Sequence, residues 1–123
     1  MAECVNIRLD ELEALADFAV DHEIGLTVVG PEAPLCAGVV DVFRRRNLRI
    51  FGPAAEAARL EGSKDFAKNF MRKYNIPCAD SATFTEPAGA IDYVRRQFAE
   101  KQVRGIVIKA DGLAAGKGVL VTG

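Results

Sequence analysis

Two short β-rich runs, Leu26–Val29 and Leu48–Phe51, each stop at a Gly-Pro step and each follow a stretch of helical periodicity. Short apolar runs closed by glycine and proline are what buried parallel strands look like. In front of the first run, Asp10 is read as an N-cap. Leu12, Leu15, Ala16 and Ala19 then recur at helical spacing with Asp17, Asp21 and Glu23 turned outward, which predicts a helix ending near Glu23. In front of the second, Cys36, Val39, Val40 and Phe43 predict one helix whose last turn carries Arg44, Arg45 and Arg46, the charge that suits a helix C-terminus. Helix, strand, helix, strand in this order predicts an α/β unit built on part of a doubly wound parallel sheet, with functional loops at the strand C-termini. Gly30-Pro31-Glu32 and Gly52-Pro53 occupy those positions. Cys4 to Ile7 is too short to serve as a convincing opening strand, and no glycine-rich turn follows it.

After Pro53 the texture changes. An alanine-rich stretch, Ala54 to Leu60, precedes a helix from about Ser63 to Tyr74 built on Phe66, Phe70 and Tyr74 and ended by Asn75-Ile76-Pro77. Ser81 to Phe84 is read as a strand, and Thr85 as the cap of a helix with Ile91, Val94 and Phe98 on one face. Gly105 introduces the strand Ile106–Lys109, and a further apolar run, Val119-Leu120-Val121, follows. This half reads as α+β, with the join near Pro53 to Gly62.

Composition bounds the function. At 123 residues and 50% hydrophobic, the chain can bury one modest core, or two incomplete ones. A net charge of -1 with 27% charged residues gives no polybasic arm, so nucleic acid is not an expected partner. No apolar run is long enough to cross a membrane, and Met1-Ala2-Glu3-Cys4 is not the start of a signal peptide, so a cytoplasmic location is expected. Cys4, Cys36 and Cys78 lack the spacing of a zinc site or a disulfide framework and are read as reduced packing residues. His22, the single histidine, sits at a helix end and is not read as a catalytic partner.

The segment richest in chemistry is Lys109-Ala110-Asp111-Gly112-Leu113-Ala114-Ala115-Gly116-Lys117-Gly118. Glycines among small residues let backbone N–H groups approach an anion, and Lys109 and Lys117 bring positive charge to either side. A Walker A loop is excluded: the spacing between glycines is one residue short, Gly118 follows the lysine, and a strand comes next. The pattern is instead strand, glycine-rich loop, strand. On residue types alone, an ordinary hairpin loop with solvated lysines competes with a phosphate-binding loop. Lys109 must snorkel to water or meet an anion. Lys64, Lys68 and Arg72, at i, i+4 and i+8, form a basic stripe of the kind usually left solvated. Glu32 could contact a substrate amine or hydroxyl, or serve as an exposed carboxylate at the start of a helix.

In order, Val28-Val29-Gly30-Pro31-Glu32-Ala33-Pro34-Leu35, Phe51-Gly52-Pro53, Leu60-Glu61-Gly62-Ser63-Lys64 and Lys109 to Val119 resemble the phosphoribosylamine–glycine ligase family, also called glycinamide ribonucleotide synthetase, of the ATP-grasp superfamily. The resemblance runs from about Ile7 to the end. It implies an ATP-dependent carbon–nitrogen ligase of purine biosynthesis that joins glycine to 5-phosphoribosylamine through a glycyl phosphate, giving glycinamide ribonucleotide, ADP and phosphate, with Mg2+ at the phosphates. Carried over, Lys64, Lys109, Gly112, Gly116, Lys117 and Gly118 resemble ATP-binding positions, and Gly30, Pro31 and Glu32 the turn that contacts the phosphoribosyl substrate.

The resemblance also implies a fragment. The family's opening strand and glycine-rich turn, its magnesium ligands and its C-terminal domain have no counterpart here, so no complete catalytic set and no metal site are expected and the chain alone is expected to be inactive. The implied organisation is the latter part of an N-terminal (pre-ATP-grasp) α/β domain over 1–56, connecting helices over 57–76, and the start of an ATP-grasp domain over 77–123. Two other readings compete: a non-catalytic module binding a nucleotide or sugar phosphate, and an assembly piece that binds no ligand and forms a homodimer through exposed sheet edges.

Overall fold

A computed structural model of the chain describes residues 2–100, 103–114 and 118–122. The backbone divides into two compact units, Met1–Gly62 and Ser63–Gly123.

In the first unit the predicted apolar stripe forms helix α1 (Leu12–Asp21), which buries Ala16 and Ala19. Its start differs from expectation. Glu11 takes the cap position without a side-chain cap bond, because the Asp10 carboxylate is held instead by Arg8 at 2.5 Å. Strands β1 (Thr27–Val28) and β2 (Ile50–Phe51) pair in parallel, Thr27 opposite Ile50 and Val28 opposite Phe51. Between them the expected single helix is two: α2 (Glu32–Ala37) and α3 (Val39–Arg45). The break is Gly38, whose φ of 95° lies in the left-handed region that glycine enters without a Cβ clash. Its N–H closes α2 onto the Leu35 carbonyl, and its own carbonyl opens α3 by accepting from Asp41 and Val42.

The core is Ala16, Ala19, Leu35, Val39, Val40, Val42, Phe43 and Ala58, bordered by Val29, Leu48 and Ile50 from the strand segments. All of these strand residues share one face, since alternate residues of a strand point the same way. On the other face Val28 is 66% and Phe51 69% exposed. The strands expected to be buried are therefore covered on one side only among the described residues. Helix α4 (Ala55–Gly62) takes up the alanine-rich stretch; its N-terminus is capped by the Asp41 carboxylate, which accepts the Ala55 N–H at 2.9 Å. Arg46, following α3, reaches back to Asp17 of α1 at 2.7 Å.

The second unit opens with α5 (Lys64–Lys73), capped by Ser63, whose Oγ accepts the Phe66 N–H at 3.1 Å. Asn75 then turns the chain with a φ of 54°. Residues 81–84 do not form the expected strand. Arg72 of α5 donates to both the carbonyl and the Oγ of Ser81, so this segment is held by a side chain instead of a sheet ladder. Helix α6 (Pro87–Glu100) begins two residues past Thr85, with Pro87 at the first helical position, where a missing N–H costs nothing. Its apolar face is not a core face here: no residue of α6 is buried, and Ile91 and Phe98 are exposed. Strands β3 (Ile106–Lys109) and β4 (Val119–Thr122) form the expected hairpin, antiparallel with Lys109 opposite Val119.

Of the three cysteines, only Cys36 packs, its Sγ 3.5 Å from the Ala58 carbonyl oxygen; Cys4 and Cys78 are exposed, against the expectation that they serve mainly in packing.

Candidate functional site

The glycine-rich segment leaves β3 at Lys109 and re-enters the ladder at Val119. Its mouth is closed by the Ala110 N–H donating to the Gly118 carbonyl at 2.8 Å. Gly112 and Gly118 both hold positive φ, 91° and 73°, so each turns the chain where an L side chain would be strained. At Gly118 an added Cβ would also stand 3.1 Å from the Ala110 Cβ, whereas at Gly112 the space is open. Lys109 ends β3 with its side chain exposed. Gly116 and Lys117, read from the sequence as ATP-binding positions, lie outside the described residues.

What the sequence did not disclose is how this loop is fastened. The Asp111 carboxylate accepts the Lys64 N–H at 2.6 Å and the Asp65 N–H at 3.4 Å with one oxygen, and the Ser63 hydroxyl at 3.0 Å with the other. With Ser63 Oγ taking the Phe66 N–H, all three donors that follow the cap of α5 have an acceptor. Lys64 Nζ in turn donates to the Gly112 carbonyl at 2.7 Å. Lys64 and Gly112, two of the predicted ATP-binding residues, are thus brought together across 48 positions of sequence. Desolvation at the loop base raises the Asp111 pKa, but the hydrogen bonds from Ser63, Lys64, Gly112 and Asp65 outweigh it and hold the carboxyl below its usual value. The site thus presents an ionised carboxylate fixed on a helix N-terminus, with a lysine ammonium beside the loop backbone.

The basic stripe of α5 is therefore not a freely solvated face. Lys68 Nζ donates to the Ala79 carbonyl at 2.8 Å and Arg72 holds Ser81, so each of the three cations meets a main-chain oxygen on a neighbouring segment. The signal for Asp111 was present in the sequence, a short acidic residue at a strand-to-loop junction followed by glycine, but its partner at Ser63-Lys64 was not readable from it.

Gly30, Pro31 and Glu32 belong to the first unit. They leave the C-terminal end of β1 and open α2, with Pro31 at the cap position and Glu32 as the acidic residue of the first turn, all three exposed. A Cβ on Gly30 would meet nothing within 4 Å. Among the described residues no group of three or more His, Cys, Asp or Glu side chains is placed to hold a metal ion.

A helix N-terminus and a strand–loop–strand hairpin clasped around a lysine accord with the family model that matches residues 62–123, the ATP-grasp (A) domain of phosphoribosylglycinamide synthetase. Residues 1–61 match the N domain of the same enzyme. The chain belongs to the phosphoribosylglycinamide synthetase family. It is 55% identical over 119 residues to the phosphoribosylamine–glycine ligase of Haemophilus influenzae, covering 97% of this chain and 27% of that protein. The Pseudomonas aeruginosa ligase is 57% identical over 122 residues, 98% of this chain and 27% of the relative; that of Escherichia coli K12 is 55% identical over 117 residues, 95% and 26%. The chain spans about a quarter of the length of these relatives.

No described helix is long and apolar enough to cross a membrane.

Proposed function

We propose that the chain is the portion of an ATP-dependent ligase that supplies one wall of the ATP site and part of the phosphoribosyl-binding turn. The parent reaction joins glycine to 5-phosphoribosylamine through a glycyl phosphate, giving glycinamide ribonucleotide, ADP and phosphate. The observation that carries this reading is the clasp between Asp111, Ser63 and Lys64, which sets a lysine ammonium against the backbone of a glycine-rich loop in a domain matched as ATP-grasp. Phosphoryl transfer needs positioning and neutralisation of spreading negative charge more than covalent chemistry. Lys64 and Lys109 supply the positive charge, and Gly112, Gly116, Lys117 and Gly118 are the loop positions that bind ATP. Gly30, Pro31 and Glu32 contact the phosphoribosyl substrate. Magnesium, when bound, neutralises charge on the phosphates, and residues of the parent protein outside this chain hold it.

The same reading extends to organisation. The parallel pair β1–β2, covered on one face by α2 and α3, is taken as part of a doubly wound sheet over 1–56, followed by connecting helices over 57–76, which from residue 62 on fall within the ATP-grasp match, and by the start of the ATP-grasp fold proper over 77–123. The protein works in the cytoplasm, and the 123-residue chain alone does not complete the ligase reaction.

The test is a calorimetric titration of Mg-ATP into the chain, with Lys109→Ala as the control for site-specific binding. Binding by the unsubstituted chain that the variant largely loses supports the reading. Binding by neither, or equal binding by both, removes it, and glycine-dependent ADP formation by the chain alone would overturn the statement that it is inactive.

A further inference from the structure

The fastening of the glycine-rich loop is more elaborate than helix capping requires. Ser63 already satisfies the Phe66 N–H from the cap position, as an N-cap serine normally does. Asp111 adds acceptors for Lys64 and Asp65 from 47 and 46 residues away, and the residue after it returns its carbonyl to Lys64 Nζ. Lys64 is therefore gripped at both ends by adjacent residues of one loop: its main chain by the Asp111 carboxylate at 2.6 Å, its ammonium by the Gly112 carbonyl at 2.7 Å. A single contact would leave a long side chain free to choose among rotamers; two contacts to consecutive loop residues fix both the base of the loop and the path of the lysine. An approaching phosphate is a stronger partner for an ammonium than a neutral carbonyl, so Lys64 can pass from Gly112 to a phosphate while its main chain stays tied to Asp111.

We propose that Asp111 is a positioning residue for nucleotide binding: its carboxylate docks the base of the glycine-rich loop on the N-terminus of α5 and thereby sets Lys64 against the loop. Its nucleotide half rests on the ligase reading above; the docking itself does not.

Two measurements on this chain separate the two. Backbone amide exchange, read by NMR without nucleotide, reports the docking directly. Asp111→Ala is expected to speed exchange at Lys64 and Asp65 by roughly five- to tenfold, the loss of one cap, while the β3–β4 amides stay protected. Asp111→Asn, which keeps an acceptor oxygen, is expected to restore most of that protection, and it also serves if the alanine variant does not fold. Mg-ATP titration of Asp111→Ala, Lys64→Ala and the double variant then reports positioning. Asp111→Ala is expected to weaken ATP by about tenfold, and the double variant to bind no more weakly than Lys64→Ala, because Asp111 acts through Lys64. Exchange at Lys64 and Asp65 unchanged in both Asp111 variants overturns the docking. A loss of ATP affinity that adds in full to that of Lys64→Ala overturns the positioning role. If the unsubstituted chain binds no ATP, the ligase reading and the nucleotide half fall together, and the docking stands or falls on the exchange data.

Discussion

The Asp111 carboxylate lies 2.6 Å from the backbone nitrogen of Lys64, 47 positions earlier in the chain, and this is the shortest of the bonds that join the loop after β3 to the start of α5. Ser63 stands between them in the chemistry: its hydroxyl donates to Asp111 at 3.0 Å and accepts from Phe66 at 3.1 Å. The hydroxyl is thus used in both directions.

Ser63→Ala removes a cap and one donor to Asp111 together. The expected loss is about 1–2 kcal/mol of stability in the second unit, the upper part of the range for a single N-cap. Urea unfolding followed at Tyr74 or Tyr93 fluorescence measures it, and an unchanged midpoint would contradict the capping geometry.

Acid acts on the same carboxylate. Because the folded state holds the Asp111 pKa below its ordinary value of 3.8, the unfolded chain binds the extra proton first as pH falls. The contribution is present above that ordinary value and is lost as pH drops through the lower, folded one. Asp10, lowered by the hydrogen bond from Arg8, acts in the same direction in the first unit. The expected outcome is therefore a difference: below about pH 4, stability of the second unit falls more in the unsubstituted chain than in Asp111→Asn. Parallel acid profiles of the two would remove Asp111 from the account.

Gly52 closes β2 against the core. A Cβ there would stand 2.8 Å from Leu35 Cδ2 and 3.2 Å from Val40 Cγ2, and Val40 is fully buried. Gly52→Ala is expected to destabilise the first unit by about 1–3 kcal/mol through overpacking. Gly30→Ala, at a position open to 4 Å around, is the matched control and is expected to change stability by less than about 0.5 kcal/mol. Equal denaturation midpoints for the two variants would refute the packing argument.

Arg46 pairs with Asp17 at 2.7 Å, but the aspartate is exposed and the contact is screened by solvent. Arg46→Ala is expected to cost only about 0.2–1 kcal/mol, falling as salt is raised. Phe43→Ala, three residues earlier and wholly buried, is expected to cost about 3–5 kcal/mol. Thermal unfolding of the two variants at low and high salt would expose a reversal of that order.

Much of the backbone plan was written in local pattern. The strand at Ile106–Lys109, the helix that starts near Ser63, the apolar stripe of α1 and the hairpin that follows Lys109 all lie where periodicity and glycines put them. Where local pattern misled, a longer-range partner had intervened. Arg72 holds the segment at Ser81 out of any sheet, Arg8 takes Asp10 away from the cap of α1, and Gly38 uses its left-handed φ to make two helices of one.

The sequence by itself determined most of the elements, the residue chemistry of the glycine-rich loop and the family, because each of these is carried by residues close together in the chain. Only the tertiary structure decided that Lys64 meets Gly112 and that Asp111 is the residue tying them. A hydrogen bond between groups nearly fifty residues apart leaves no periodic trace: its geometry exists only once α5 and the β3–β4 hairpin have folded against each other.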